Sequence, residues 1–462
     1  MLRPMPPNSA FFLMGETRDQ PLHVGGLQLF APPEGADAYE LRGMLDAAIA
    51  EGTVIDLFQK RPVRSLATMG QWAWQQDTEF DIEHHVRRNA LPQPGRVLEL
   101  LALCSRLHST PLDRHRPLWE THIIEGLADG RLALYSKAHH ALLDGVAALR
   151  LFAKTLSWRA DDREMPAPWA PPKRQLPAKD EDASAADQLR AVADAVVDVV
   201  GIAPSMLKRA ARGLTGGGLP IPAPRSILNV PITGARRFAA QDWPIDRIKA
   251  LAEASGTTVN DVVLAMCSGA LRSYLRTLGA LPAESLVAMV PVSLHASNDP
   301  VSERSQRSKD GGNAVGVVLC NLGTALADPA ARLVAVHRSM MDGKRSLVGL
   351  SQVQILAMSG LALSPLVLEH LLRAQGRFRP PFNVLISNIP GPARPMFWNG
   401  ARLDGVYPLG LPFNGQALNI TCVSYASAMH FGIVGCRRTV PHLQRILGFL
   451  DDEITALEEA VA

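Results

Sequence analysis

The stretch His139-His140-Ala141-Leu142-Leu143-Asp144-Gly145 places two adjacent histidines before a carboxylate, which lies four residues after the second histidine. The preceding run, residues 131–137, alternates two sets of side chains with the period of a β-strand. Neighbouring side chains of a strand point to opposite faces. We therefore expect one imidazole to face a cleft and the other to face the interior, which favours a lone general base over a pair of metal ligands.

A second histidine pair, His84-His85, has no Asp-Gly after it. We expect this pair to consist of hydrogen-bonded or partly exposed side chains. The functional prediction therefore depends on the complete seven-residue pattern HHxxxDG and not on a histidine pair alone.

HHxxxDG resembles the signature of the CoA-dependent acyltransferase superfamily, which includes chloramphenicol acetyltransferases and peptide-synthetase condensation domains. Other segments resemble motifs of one of its groups, the bacterial wax ester synthase/diacylglycerol acyltransferases. These segments are Pro117-Leu118-Trp119, Asn260-Asp261 at a helix start, and Ser387-Asn388-Ile389-Pro390-Gly391-Pro392. The resemblance covers the chain from about residue 5 to its C-terminus in a consistent order. Two departures, Met396-Phe397-Trp398 and His295, concern the range of substrates more than the reaction type.

The resemblance implies a mixed α/β fold, the two-subdomain sandwich of chloramphenicol acetyltransferase. Its active site would lie in a tunnel between the halves, which the acyl donor and the acceptor enter from opposite faces. The composition agrees with a globular protein, because 47% hydrophobic against 20% charged residues indicates a substantial core. A net charge of +3 is too small to indicate nucleic-acid binding.

Changes in composition divide the chain. Residues 159–186 are rich in proline and charge, and residues 213–224 are rich in glycine and proline. We therefore predict an N-terminal acyltransferase subdomain over residues 1–160, a linker, amphipathic helix and crossover over residues 161–225, and a C-terminal acyltransferase subdomain over residues 226–462.

Local patterns in the C-terminal half predict individual elements. Residues 245–254 favour a helix ended by Gly256, and Thr258 with Asp261 has the spacing of a capping box. The remaining predicted elements are strands over residues 286–292 and 315–320 and a helix over residues 329–341.

Cysteine usage and hydropathy suggest a cytoplasmic protein. Five widely spaced cysteines without a CxxC pair predict neither a disulfide framework nor a zinc site. Cys267, Cys320 and Cys422 lie in apolar runs and are predicted to fill the core. No signal peptide is evident, and the most apolar stretch, residues 355–368, is shorter than the ~20 residues of a membrane-spanning helix.

The resemblance assigns the general base to His140, whose imidazole would deprotonate an acceptor hydroxyl. No acyl-enzyme is required, and the sequence has no G-x-S-x-G. Asp144 either orients His140 in a triad or, as in the family, turns away and pairs with an arginine that holds the loop. His139 is expected to be structural, and Gly145 to be required by backbone geometry or close packing.

An oxyanion needs hydrogen-bond donors, and the resemblance points to Asn260 and Asn388, with Asp261 and Ser387 beside them. Helix-start chemistry for Asn260-Asp261 and a Pro/Gly turn at residues 387–392 are the alternatives. Pro117, Leu118 and Trp119 are expected to be a packing anchor. Neither a metal nor a cofactor is implied, and acyl-CoA is a co-substrate.

The segment from Val199 to Gln241 contains six basic residues and no acidic one. It either docks on an anionic membrane or lipid-inclusion surface or packs at the domain junction. Together these features predict a cytoplasmic, peripherally membrane-associated O-acyltransferase that moves a fatty acyl group from acyl-CoA to a long-chain alcohol or diacylglycerol. The alternatives are an enzyme that takes its acyl group from a carrier protein and a non-catalytic lipid-binding protein of the same fold.

Overall fold

The computed structural model describes residues 2–33, 35–65, 68–171, 223–293, 315–347 and 379–461. The strands of this part are β1 (Leu2–Pro4), β2 (His23–Ala31), β3 (Lys60–Arg64), β4 (Trp72–Gln76), β5 (Val86–Ala90), β6 (Trp119–Glu125), β7 (Leu132–His139), β8 (Arg236–Pro244), β9 (Val287–Ser293), β10 (Val315–Asn321), β11 (Val384–Pro390), β12 (Phe397–Trp398), β13 (Ala401–Leu409), β14 (Leu418–Tyr425) and β15 (Ala428–Cys436). The helices are α1 (Pro7–Gly15), α2 (Ala38–Glu51), α3 (Ile82–His85), α4 (Val97–Ser109), α5 (Gly145–Ala153), α6 (Ile245–Ala254), α7 (Val259–Thr277), α8 (Pro329–Leu347) and α9 (Arg445–Val461).

Most elements predicted locally are confirmed. Helix α6 has the predicted bounds, and Gly256 follows it with a φ of 62° that suits glycine. Thr258 and Asp261 form the predicted reciprocal capping box of α7. Helix α8 continues beyond the predicted end to Leu347, which is itself buried. The predicted amphipathic helix of the linker lies outside the described residues.

The first sheet has the strand order β12-β13-β2-β7-β6-β5, and its β5–β6 pair is parallel. Strand β7 is central and buried on both faces. Leu132 and Leu134 pack in the cluster that contains α2, whereas Ala133 and Tyr135 pack in the cluster that contains α4. The alternation seen in the sequence therefore separates two apolar environments rather than core from solvent.

The second sheet has the strand order β10-β9-β11-β14-β15-β8. Helices α6, α7, α8 and α9 share one hydrophobic cluster with its strands, and α7 contributes a long buried run from Asp261 to Leu271. This cluster is the larger core of the protein. Cys267, Cys320 and Cys422 are buried in it as free thiols, as predicted.

The sheets do not coincide with the predicted halves. Strands β12 and β13 come from beyond residue 226, yet β13 pairs antiparallel with β2 of the first sheet. Helix α4 lies between the sheets, where its Ser105 and Ser109 hydroxyls accept hydrogen bonds from the Phe238 and Arg236 amides of edge strand β8. Helix α4 of the first half thus covers the β8 edge of the second sheet, which would otherwise be exposed to solvent.

The two sheets also touch directly. A Cβ on Gly432 of β15 would lie 1.7 Å from the Pro408 carbonyl oxygen of β13, so only glycine fits there.

Within the described part of the chain, no helix is long and apolar enough to cross a membrane.

Candidate active site

The two histidines of HHxxxDG face different environments. His140 directly follows β7, and its backbone N–H donates to the Leu22 carbonyl over 2.9 Å. Its half-buried ring stacks on Phe12 of α1, with ring centroids 4.2 Å apart. His139 is fully buried, and its Nδ1 accepts from the Ala141 amide over 3.0 Å. This arrangement agrees with the predicted divergence of neighbouring strand residues.

The surroundings of His140 favour its neutral form. Burial lowers the pKa of the imidazole, while the Asp144 carboxylate opposes part of this effect. The ring is therefore unprotonated at neutral pH and can accept a proton there.

Asp144 caps a helix. Its exposed side chain accepts from the Ala147 amide over 2.7 Å at the N-terminus of α5. Among the contacts of the described residues, it has neither a hydrogen bond to His140 nor the arginine partner that the resemblance implies. The carboxylate thus acts on His140 through its charge and by fixing where α5 begins.

Among the described residues, neither ground predicted for Gly145 is seen. Its φ is not positive, and a Cβ placed on it would meet no atom of the described residues within 4 Å. It is the first residue of α5.

The structure brings the two predicted amide side chains together. Asn388 Nδ2 lies 3.4 Å from Asn260 Oδ1 and donates to it. Asn388 lies within β11, and Asn260 lies in the first turn of α7. The turn alternative for residues 387–392 is therefore wrong for Asn388, because the strand continues to Pro390.

The residues next to these amides have different surroundings. The buried Asp261 accepts from Thr258, and its Oδ2 lies 2.8 Å from His337 Nδ1. It fixes the start of α7. Ser387 points to the opposite face of β11 from Asn388, since neighbouring strand residues alternate. Gly391 is required after the strand, because a Cβ there would lie 2.3 Å from the Ser424 carbonyl oxygen.

Pro117-Leu118-Trp119 is buried in the first half. The Trp119 ring stacks between Phe58 and His85, at centroid distances of 4.7 and 4.8 Å, and its Nε1 donates to the Phe58 carbonyl. These contacts are those of a packing anchor.

One apolar cluster links the two motifs. Leu142 and Leu143 of HHxxxDG, and Ile389 of β11, all pack against one hydrophobic cluster, which contains buried residues of both halves. Among the described residues, no group of three or more His, Cys, Asp or Glu side chains can hold a metal ion.

Sequence reasoning missed Phe12, Glu16 and His337. Phe12 and Glu16 lie far from HHxxxDG in the chain, and only the fold brings them to it. A possible signal for Glu16 was a lone carboxylate at the end of the apolar run 10–15. Nothing in the sequence around His337 marks it as the partner of Asp261.

Two family models match the chain. The model described as wax ester synthase/diacylglycerol acyltransferase catalytic domain matches residues 5–263, and the one described as WS/DGAT C-terminal domain matches residues 311–458. A probable diacylglycerol O-acyltransferase of Mycobacterium tuberculosis is 48% identical over 460 residues, covering 99% of each chain. A putative diacylglycerol O-acyltransferase of Mycobacterium bovis is 43% identical over 462 residues, covering 98% of this chain and 90% of the other.

Solved structures give the same relationship. The wax ester synthase/diacylglycerol acyltransferase from Marinobacter aquaeolei VT8 matches with a TM-score of 0.78 and 40% identity, covering 99% of each chain. The first condensation domain of the CDA synthetase matches with a TM-score of 0.60 and 17% identity over 100% of this chain and 97% of the other. The latter likeness concerns the fold, and both agree with the predicted two-subdomain α/β architecture.

Phe12→Ala is expected to raise the pKa of His140 toward its ordinary value, because it removes the ring that shields the imidazole from water. The measurement is an NMR titration of the histidine ring protons, with the His140 signal assigned by its absence from His140→Ala. Phe11→Ala is the matched control, since the Phe11 side chain is 51% exposed. An unchanged His140 midpoint in Phe12→Ala, or an equal shift in the control, would contradict the role given to Phe12.

Proposed function

The chain belongs to the wax ester synthase/diacylglycerol acyltransferase family and is an acyltransferase, and we propose that it uses His140 to transfer a long-chain fatty acyl group from acyl-CoA to an alcohol or diacylglycerol. The observation that carries this proposal is the half-buried imidazole of His140 at the end of β7, stacked on Phe12, where burial lowers its pKa. A hydroxyl is a weak nucleophile at neutral pH, and such a base removes its proton as it attacks.

The reaction balances with one base and no acyl-enzyme. The acceptor oxygen attacks the thioester carbonyl carbon as His140 takes the hydroxyl proton. The tetrahedral intermediate then collapses, so that the C–S bond breaks and an ester C–O bond remains. The protonated imidazole returns the proton to the departing thiolate, which leaves free CoA and a neutral His140.

Asn260 and Asn388 are proposed to donate hydrogen bonds to the oxyanion. The contact between Asn388 Nδ2 and Asn260 Oδ1 orients both amides. It leaves the Asn260 Nδ2 hydrogens and the second Asn388 Nδ2 hydrogen for a ligand. Asp261 supports this arrangement from behind by fixing the first turn of α7.

Acyl-CoA is the proposed donor because the family to which the chain belongs implies it. Diacylglycerol is a proposed acceptor because relatives that match over nearly the whole chain are named diacylglycerol O-acyltransferases. An acylated carrier protein is the second candidate, since condensation domains share the fold. A lipid-binding protein without turnover is the third.

We also propose that the enzyme works at a lipid surface in the cytoplasm, because its acceptors partition into lipid. Within the basic segment Val199–Gln241, residues 199–222 lie outside the described residues. In the described remainder, Arg236 is buried between the halves, where it donates to the Asp19 and Thr233 carbonyl oxygens. Arg236 thus follows the domain-junction alternative, and docking would depend on Lys208, Arg209 and Arg212.

His140→Ala is expected to lower turnover by about 10²–10⁴, because the reaction loses its base. The measurement is thiol release from palmitoyl-CoA with hexadecanol, with dioleoylglycerol and without an acceptor. His139→Ala should lower the midpoint of thermal unfolding, since its ring is buried, and should lower turnover less than His140→Ala does. If the acceptor-dependent thiol release seen with the wild-type protein persisted in His140→Ala, the proposed role of His140 as the base would be contradicted. No release from palmitoyl-CoA, but release from an acylated carrier protein, would favour the second donor.

Asn388→Ala is expected to lower kcat by about 10²–10³, the effect of losing one oxyanion donor. Ser387→Ala is the matched control, because it removes a neighbouring polar side chain from the other face of β11. The steady-state kcat of both variants is compared with palmitoyl-CoA and hexadecanol. A loss in Ser387→Ala with normal turnover in Asn388→Ala would reverse the assignment.

Replacing Lys208, Arg209 and Arg212 by glutamine is expected to weaken binding to anionic vesicles, at about 1 kcal/mol per basic residue lost. Vesicle sedimentation measures this, and neutral phosphatidylcholine vesicles serve as the control. Turnover with a soluble short-chain alcohol should persist. Unchanged binding to anionic vesicles would contradict the proposal that these three basic residues dock the protein on lipid.

A further inference from the structure

Glu16 has a buried carboxylate beside HHxxxDG, with its side chain 4% exposed. It directly follows α1, the helix that carries Phe12. Arg114 holds it from one side, with Nε donating to Glu16 Oε2 over 2.9 Å and Nη2 donating to the Glu16 carbonyl oxygen. This ion pair leaves Oε1 directed at two other groups.

The first group is the backbone of Leu22. The Leu22 amide donates to Glu16 Oε1 over 3.0 Å. The carbonyl of the same residue accepts the His140 amide over 2.9 Å. Glu16 therefore fixes the peptide segment that holds the backbone of His140.

The second group is the ring of His139. Its Nδ1 accepts from the Ala141 amide, so in the neutral ring the proton must lie on Nε2. That nitrogen is buried, and Glu16 Oε1 at 3.4 Å is the charged group that faces it. Burial by itself raises the pKa of Glu16, but contacts with His139, Leu22 and Arg114 outweigh it and lower the pKa, so the carboxylate stays charged.

We propose that Glu16 is a positioning residue that sets the orientation of His140 through Leu22 on one side and His139 on the other. This inference rests on the proposed role of His140 as the base. The carboxylate also selects the His139 tautomer that accepts from Ala141, and it thereby shapes the turn that presents His140. A neutral amide has only one acceptor oxygen and cannot serve Arg114, Leu22 and His139 together.

The same segment contacts the other half of the protein. Asp19 accepts from the Gly234 amide and from Arg236, and Gln20 Oε1 accepts from the Asn414 amide over 2.7 Å. Glu16 therefore lies between the His140 turn and the contacts that join the halves.

Glu16→Gln is expected to lower kcat about 10–100-fold, because displacement of a catalytic group by about 1 Å costs up to about 10²-fold. The KM for palmitoyl-CoA should stay within about twofold, since Glu16 is buried and not proposed to touch the substrate. The measurement is steady-state thiol release with hexadecanol, alongside thermal unfolding. Arg114→Ala, which changes a half-exposed residue, should show a smaller loss of kcat with the same unchanged KM.

Glu453→Gln is the matched control, because Glu453 is a buried carboxylate paired with Arg332 in the other core. It should lower the unfolding midpoint without lowering kcat. The inference would be overturned by wild-type kcat in Glu16→Gln, by a change confined to KM, or by an equal loss of kcat in Glu453→Gln. His140→Ala is assayed in parallel. Full turnover in His140→Ala would contradict the proposed role of His140 as the base. An inactive His140→Ala together with a fully active Glu16→Gln would contradict only the positioning role of Glu16.

Discussion

The pairing of β13 with β2 is the constraint on which the relative position of the two halves depends. Its register runs from Arg402 opposite Ala31 to Leu409 opposite Gly25, so a strand of the late sequence completes the early sheet. A buried strand must hydrogen-bond its backbone, and this pairing does so across the chain halves. The close approach of Gly432 to the Pro408 carbonyl oxygen then packs β15 of the second sheet directly against β13 of the first.

A buried polar cluster fixes the strand that presents His140. Lys137 of β7 is fully buried 3.2 Å from Glu120 of β6, and it donates to the Leu107 and Thr110 carbonyl oxygens near the end of α4. Burial by itself raises the pKa of Glu120, but His122, Lys137 and Arg87 outweigh it and lower the pKa to about 2. An unpaired buried charge costs several kcal/mol. A shift of β7 by one residue would turn Lys137 to the other face of the sheet and leave its charge unpaired, so this contact helps to define the register of the strand that ends at His139.

The proposed site is divided between the halves. The proposed base, His140, belongs to the first half, and the proposed donor pair, Asn260 and Asn388, belongs to the second. Asp144 and Asp261 both act as helix caps, which fixes where the elements beside the site begin. A rigid frame of this kind holds reacting groups in place before substrate arrives, which is how enzymes reduce the entropic part of a barrier.

The sequence by itself determined the features that depend on neighbouring residues. These are the strand that ends in HHxxxDG, the opposite directions of His139 and His140, the bounds of α6, the capping box of α7 and the core cysteines. Motifs extended this to the family and the two-subdomain fold. Only the tertiary structure decided that β13 joins the first sheet and that Asp144 caps α5. It alone brought Phe12 and Glu16 to the histidines. The physical reason is that local propensity depends on residues a few positions apart, whereas the surroundings of a side chain depend on contacts made by segments far apart in the chain.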